Sequence, residues 1–570
     1  MTQIYELKPL DEPDFLRLHI GAHQEAVDRA LNELRAAHIM ERIWTGDHTV
    51  WKPDPTEITN RLGWLRIADV LRENLTSLLS FVDSVRADGY TQALLLGMGG
   101  SSLAPEVFRK TFGVKTGYLD LAVLDSTDPG PVLAFDQKLN LTKTLFIVAT
   151  KSGGTAETLS AFKYFYNRLA ATLSSDAAGA HFIAITDPGS SLVDLAKKYG
   201  FRAVFLNDPN IGGRYSALSY FGIVPAALLG VDLETLLNRA KRMERLCASV
   251  YNNPAAVLGA VLGELAKVGR DKVTFIVSPA IASFGDWVEQ LIAESTGKEG
   301  KGILPVVGET IGQPGQYGND RLFVYLRLDN THDSAIQTLE QAGQPVVWLP
   351  WADLYDLGGQ FFLWEMATAV AGHRLGIQPF DQPNVEAAKV IARQMIAAYQ
   401  KEGRLPALDP LLIAGDITVY GDIKVKTLDE AWLSFLNEAD SGDYVALQAY
   451  VNPTPATDAA LADLRARIRN RLHRATTAGY GPRFLHSTGQ LHKGDSGNGL
   501  FIQFTADAVQ DVDIPDEAGK PESTMTFNTL KLAQAMGDRQ ALLDNGRRVL
   551  RFHLGTDVVG GLQRLLAALG

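Results

Sequence analysis

The chain has 570 residues, 46% hydrophobic and 21% charged: too long for one ordinary core, it reads as two to four domains of a soluble globular protein. Lys and Arg number 54 against 65 Asp and Glu, and the resulting charge of −11 argues against nucleic acid as the main partner while leaving room for a small phosphorylated metabolite. The single cysteine, Cys247, excludes a disulfide framework and a thiolate metal site; "MTQIYELKPLDEPDF" is not a signal peptide and no apolar run approaches a membrane span, so the default is a cytoplasmic protein with no membrane partner.

The first 90 residues predict a helical arm, with apolar residues at three- and four-residue spacing over 14–43 and 65–87. Between them "KPDPTE" is a proline-containing joint, with Thr56 a candidate cap for the next helix. From residue 91 short apolar runs at 93–97, 121–125, 143–149, 182–186 and 203–206 alternate with helical segments at 101–112, 155–171 and 190–199. Continuous apolar runs joined by helices indicate a parallel sheet covered on both faces.

After Gly230 a helical stretch runs to about 269, and the alternation restarts with strands expected at 273–277, 322–328 and 345–349 and helices near 285–297, 331–342 and 357–375. This is a weak internal duplication. A helix at 384–400 and the linker "KEGRLPALDP" follow. The tail reads as a less regular α/β extension: strands at 443–451, near 483–487 and at 499–504, a helix at 457–474, an acidic loop over 507–523 and a closing helix at 559–569. The fold class is α/β, with two tandem doubly wound parallel-sheet domains at 91–232 and 233–402, flanked by the arm (1–90) and the extension (403–570).

Two loops carry the chemistry. "VATKSGGTAET" (148–158) leaves a strand at Thr150 and enters a helix at Thr155; "LLLGMGGSSLAPEVF" (94–108) repeats the theme, with Gly99, Gly100, Ser101 and Ser102 between strand and helix. Glycine permits close backbone approach, a helix N-terminus attracts an anion, and hydroxyls add donors without bulk. These features point to a phosphate gripped by Thr150, Lys151, Ser152 and Thr155 with help from Ser101 and the Gly100 backbone. The plainer reading makes Ser101 and Thr155 N-caps and the glycines tight turns, and for one loop alone the two readings balance. Two such loops on adjacent strands at the carboxyl edge of one sheet favour a ligand. Neither loop fits a dinucleotide or P-loop pattern.

"FGDWVEQLIAESTGKEGKG" (284–302) places Asp286, Gln290, Glu294 and Lys298 on one helical stripe, which by spacing alone reads as a solvated face with a Glu294–Lys298 pair. "GMGGSSLAP", "TKSGGTAET", "IGGRYSALS", "QLIAESTGK" and "FDQPNVEAAK" occur in that order. Over about 91–400 the chain resembles the glucose-6-phosphate isomerase family of the sugar-isomerase fold group, while the arm and the tail look more like the isomerase part of transaldolase–isomerase fusion proteins; no transaldolase barrel fits before residue 91. The resemblance implies two sugar-isomerase domains and a reversible interconversion of glucose 6-phosphate and fructose 6-phosphate through a cis-enediol. It implies that Ser101, Thr150, Lys151, Ser152 and Thr155 hold the 6-phosphate, that Glu294 is the catalytic base with Gln290 one turn earlier, that Arg214 lies beside the reacting carbons, and that Gln382 and Lys389 belong to the late motif. Thr150 stands where many relatives have serine.

These residue types suit the reaction. One carboxylate moves a proton between C2 and C1 if desolvation raises its pKa, and a fixed arginine balances the enediolate. Phosphate binding orients the distant carbons, and no metal or organic cofactor is required. The family also uses a histidine, within a Gly-Gln-His segment, to open the sugar ring. The corresponding "GQPGQYGNDRLFVY" (312–325) has none, so ring opening is unassigned. Lys389 is the best single candidate, with His332, Asp320 and His486 behind it. His332 reads more simply as a surface neighbour of a helix start, and "GPRFLHSTGQLHKGD" (481–495), with His486 and His492, as a polar turn without zinc-site spacing. Alternatives are an isomerase that also takes mannose 6-phosphate, or a sugar-phosphate-sensing protein, which needs neither Glu294 nor Arg214. A homodimer follows from the resemblance.

Overall fold

The computed structural model describes residues 3–4 and 16–570. The arm does not begin as a helix. Arg17–His19 is a strand, β1, and α1 (Gln24–Ala36) starts only after it; Asp14 and Phe15, at the start of the expected helix, lie outside the described residues. Leu18 faces the core while Arg17 is exposed, an alternation that suits an edge strand. Thr56 caps no helix: it sits in a turn where its N–H donates to Asp54, and α2 (Ile67–Ala87) starts well beyond it.

The first sheet is built from β2 (Gln92–Gly97), β3 (Asp120–Leu124), β4 (Thr144–Ala149), β5 (Phe182–Thr186) and β6 (Ala203–Leu206). All are parallel, in the order β3-β2-β4-β5-β6. Every residue of β4 and β5 is buried, which is why these strands read as unbroken apolar runs. The helix α3 (Ala156–Thr172) follows β4. The second sheet contains β7 (Lys272–Val277), β8 (Leu304–Val306), β9 (Arg321–Arg327) and β10 (Val346–Pro350), with α4 (Phe284–Thr296) after β7 and α5 (Asp356–Leu375) after β10. Its parallel strands run β10-β9-β7-β8, and the arm closes the exposed edge, since β1 pairs antiparallel with β10. The helix α6 (Val385–Glu402) leads out of this unit.

The tail is a third wound sheet, more regular than its sequence suggests. It comprises β11 (Leu412–Ala414), β12 (Ile417–Tyr420), β13 (Tyr444–Tyr450), β14 (Ala475–Tyr480), β15 (Gly499–Thr505) and β16 (Arg548–His553), with the short α7 (Gly489–Gly494) after β14 and α8 (Phe527–Asp544) before β16. The strand expected near 483–487 lies at 475–480 instead, and 483–486 is a single 3-10 turn. The parallel strands run β16-β15-β13-β14. Numbered within each unit, all three sheets share one winding, 2-1-3-4, so the order reverses between the first and third strands of each. In open α/β sheets ligands settle at the carboxyl end of that reversal. In the first sheet it lies between β2 and β4, which carry the two hydroxyl-rich loops.

The third unit docks on the first through α8. Lys531 Nζ donates to Asp128 Oδ2 (2.9 Å) and to the Ala506 carbonyl, and the pair is all but excluded from water. A buried pair loses far more when one partner is removed than it contributes net, because the other charge is stranded. Lys531→Met is therefore expected to lower unfolding stability by about 3–5 kcal/mol, read from denaturant titration of the full chain, whereas replacing both partners by apolar residues costs much less.

Candidate active site

The loop after β2 turns at Gly99, whose φ of +55° suits glycine. The glycines serve assembly as well as ligand approach. A Cβ on Gly100 would overlap the Gly213 carbonyl oxygen, and one on Gly99 would stand 2.9 Å from both Gln290 Nε2 and the His486 carbonyl. Gly100 thus makes room for the turn that carries Arg214. Ser101 is buried beside it.

In the loop after β4, Thr150 is buried and its hydroxyl shares a 2.7 Å hydrogen bond with that of Thr155. Thr155 makes no cap bond to α3, so its hydroxyl is turned to Thr150 rather than spent on the helix end, against the plain capping reading. Ser152 Oγ accepts from Gly154 N, and Lys151 Nζ donates to Asp187 and to the Pro209 carbonyl. An anion arriving here meets one lysine already balanced by a carboxylate, and the start of α3 supplies the positive end of a helix dipole.

Arg214 and Glu294 face each other in the interior. Arg214 is 2% exposed; Nη1 donates to Glu294 Oε2 (3.3 Å) and Gln382 Oε1 (2.6 Å), Nη2 to the carbonyls of Pro379 and Asp381, and Nε to Ser295 Oγ (2.8 Å). A guanidinium held at every nitrogen is a fixed cation, with no reorganisation left to make when charge develops nearby. Burial pushes the Glu294 carboxyl above its ordinary value, while Arg214, Gln290 and the charge of His486 pull it part of the way back. Gln290 Nε2 lies 3.3 Å from Glu294 Oε1 and 2.7 Å from the His486 carbonyl, so it fixes both. Lys298 does not pair with Glu294 on a solvated face. The helix ends at Thr296, and Lys298 turns inward to the carboxylate (2.7 Å) and carbonyl of Asp381. Burial, with the charge of Arg214, brings its ammonium down to about 8. It holds the turn that wraps Arg214.

His486 comes from the third unit, on the segment beyond the carboxyl end of β14. That segment is pinned to the first unit and to α4: Arg483 pairs with Asp125, just beyond β3 (3.1 Å), and with Asp286 on α4 (3.4 Å), and Ser487 Oγ donates to Glu289, whose carboxyl burial raises to about 7. His486 Nε2 lies 3.0 Å from Glu157 Oε1, and Gln534 Nε2, on α8, donates to the same oxygen at 2.6 Å. Burial alone would raise the Glu157 carboxyl, but the charge and ring hydrogen bond of His486, with the Gln534 donor, hold it below its ordinary value and keep it ionised. An ionised Glu157 makes Nε2 the protonated nitrogen and leaves Nδ1 for proton exchange. His492, its neighbour in the motif, is a core residue packed at 5.0 Å on Phe501 and kept neutral by burial.

A cavity of about 350 Å³ opens between the 150–155 loop, α6 and the third unit, lined among others by Ser152, Thr155, Glu157, Lys389, Arg393 and His486. Lys389 stands half-exposed on its α6 wall, 3.7 Å from Glu386, and makes no contact with Glu294 or Arg214. The other two ring-opening candidates are elsewhere. His332 immediately precedes the helix Asp333–Gln341 and lines a separate cavity with Lys110 and Ser283, and Asp320 lies at the amino end of β9, away from the carboxyl edges. Sequence reasoning missed Glu157, Ser295 and Gln534, and read Lys298 as a surface partner of Glu294. An acid in the first turn of a helix, as Glu157 is, ordinarily needs no explanation beyond the helix dipole. Among the described residues no three His, Cys, Asp or Glu side chains converge as a metal site, and no helix is long and apolar enough to cross a membrane.

A family model described as "Phosphoglucose isomerase" matches residues 68–306. A glucose-6-phosphate isomerase from Rubrobacter xylanophilus is 30% identical over 393 residues, covering 60% of this chain and 89% of that protein. A probable glucose-6-phosphate isomerase from Methanococcus maripaludis is 30% identical over 386 residues, covering 60% and 85%. About two fifths of this chain thus lies outside either match. Among solved structures, a hypothetical protein from Thermus thermophilus superposes with a TM-score of 0.56 at 26% identity, covering 67% of this chain and all of that one. A glucose-6-phosphate isomerase from Chlamydia trachomatis gives 0.59 at 16% identity, covering 68% and 90%, which is likeness of fold.

Proposed function

The chain belongs to the phosphoglucose isomerase family and is an isomerase of glucose 6-phosphate and fructose 6-phosphate; we propose that Glu294 carries the proton between C2 and C1. The observation that carries this assignment is the Glu294 carboxyl itself, buried, raised in pKa and held against a fixed Arg214. In the carboxylate form it removes the C2 proton of the open aldose and returns it to C1 on the same face. Arg214 balances the enediolate oxygen formed in between. Ser101, Thr150, Lys151, Ser152 and Thr155 hold the 6-phosphate at a distance, so binding energy is used to orient the carbons. Gln290 and Gln382 fix the base and the arginine.

Ring opening falls to His486, with Lys389 closing the cavity from α6. With Nε2 bound to Glu157, Nδ1 protonates the ring oxygen as the C1–O5 bond breaks, and the O1 proton leaves to water. The pairing of His486 with Glu157 at 3.0 Å, on the wall of the cavity that the phosphate loop also lines, supports this over His332 or Asp320.

Because Glu294 must be ionised to act, and its pKa is raised, the acid limb of the kcat/KM profile is expected above the ordinary glutamate value of about 4.3, falling tenfold per pH unit below it. Lys151→Ala is expected to lower kcat/KM about 10- to 100-fold, with KM rising and kcat falling together, since the phosphate interaction both binds the substrate and orients its carbons. A coupled assay with fructose 6-phosphate, and separately with mannose 6-phosphate, tests the reaction and its breadth. Absence of turnover with intact sugar-phosphate binding would instead support a sensing protein.

The family resemblance supports a cytoplasmic homodimer with no nucleic-acid partner. Sedimentation at twice the 62.0 kDa chain mass checks the dimer. The partition at 90, 232 and 402 is part of the same reading, each later unit holding one wound parallel sheet.

A further inference from the structure

Besides the segment that carries His486, the third unit reaches the site through one face of α8. On α8, residues 531, 534 and 538 share a stripe at three- and four-residue spacing. Lys531 is buried on Asp128 of the first unit. Asp538 takes the ammonium of Lys493 (2.6 Å), both fully buried, and so fixes α7, the helix that follows the His486 segment. Between them stands Gln534. Its carbonyl oxygen accepts from Thr127 Oγ1 (2.8 Å), which orients the amide so that Nε2 points at Glu157 Oε1 (2.6 Å), the oxygen that also receives His486. Thr127 and Glu157 belong to the first unit, His486 and Gln534 to the third.

Resting on the assignment of His486 to ring opening, we propose that Gln534 is a positioning residue for that step, and that the third unit thereby completes the isomerase site from within the same chain. Glu157 shares its charge between two donors. With Gln534 present, part of the carboxylate is neutralised by a donor that never titrates, and the imidazole is held by the remainder. Without it, Glu157 is balanced by His486 alone, which favours the imidazolium and frees the carboxylate to rotate about its own chain. The ring-opening proton transfer then starts from a less ordered pair, while Glu294, Arg214 and the phosphate loops are untouched.

The test uses the full chain with Gln534→Met, which keeps the volume and removes both hydrogen bonds, and Thr127→Val, which removes only the orienting donor. kcat for glucose 6-phosphate and for fructose 6-phosphate is measured from about pH 5 to 9. Affinity for arabinonate 5-phosphate, an acyclic mimic that needs no ring opening, is measured beside it. Gln534→Met is expected to lower kcat about 10- to 50-fold with analogue affinity within about twofold; Thr127→Val is expected to do the same more weakly. An unchanged rate, or a rate that falls only in step with analogue affinity, would overturn the positioning role. His486→Ala separates the two readings. A normal rate in His486→Ala sinks ring opening by His486 itself, whereas a slow His486→Ala beside a normal Gln534→Met sinks only the part given to Gln534.

Discussion

Glu294→Gln is expected to lower kcat for fructose 6-phosphate about 10⁴-fold while KM stays within a few-fold. The reasoning is local. Glu294 is buried on α4, its carboxylate touches only Arg214 and Gln290, and both partners are themselves fixed, Arg214 by carbonyls and Ser295 and Gln290 by the His486 carbonyl. A glutamine of the same shape keeps its oxygen on Arg214 but turns a donor toward Gln290 Nε2, so it gives up one of the two contacts together with the ability to accept a proton; substrate binding does not run through the Gln290 contact, so binding survives and chemistry does not. In the proposed reading the phosphate is held by the 150–155 loop and not by Glu294, which gives a second reason for the KM to hold. A coupled assay at saturating substrate reads the loss; a variant within about tenfold of the wild type would move the base elsewhere.

His486→Ala is expected to cost about 10²- to 10³-fold on cyclic sugar phosphates and little on the binding of an acyclic analogue. Half of this expectation comes from what the imidazole does and half from what its removal leaves. Glu157 would keep Gln534 as a donor, so the carboxylate is not stranded, and the segment that carries residue 486 stays pinned by Arg483 on Asp125 and Asp286. The backbone carbonyl of residue 486, which receives Gln290, is unaffected by the side chain, so the Glu294 machinery stays in register. The loss therefore reports proton transfer at the ring. Equal losses on cyclic substrate and acyclic analogue would show instead that the side chain only packs the cavity wall.

Most strands of the first two sheets were legible because the central ones are buried on both faces and read as uninterrupted apolar runs, whereas the three-residue β1 and β8 are too short to carry that signal. The loops that end them announce themselves by glycines and hydroxyls at a strand-to-helix turn. The third unit hides the same winding. Its last strand contains Arg551, buried on Gln503 and the Ala535 carbonyl, and α8 contains Lys531 and Asp538, charges that look like a surface and are wholly interior. β14 is rich in Thr, Ala and Gly, so the apolar signal shifted to the Phe484–Leu485 turn beyond it. At the site, Glu294 and Lys298 had the spacing of an exposed pair, but the helix stops between them and the lysine turns to Asp381. His486 and His492 were alike in sequence, and only the docking of the third unit on the first makes one a partner of Glu157 and the other a core residue. Local pattern carries most strands and the hydroxyl-rich loops; it does not carry which distant polar groups share a buried oxygen.

The most direct test of a single carboxylate base is isotopic. Fructose 6-phosphate is converted by the wild-type chain in heavy water, and the glucose 6-phosphate formed is examined for deuterium at C2. Proton transfer through Glu294 predicts solvent deuterium at C2 in the wild-type product, and loss of both exchange and turnover in Glu294→Gln. Undiminished turnover with the same C2 label in Glu294→Gln would contradict it, whereas a wild-type product without deuterium would show only that the buried carboxyl returns its proton faster than it exchanges.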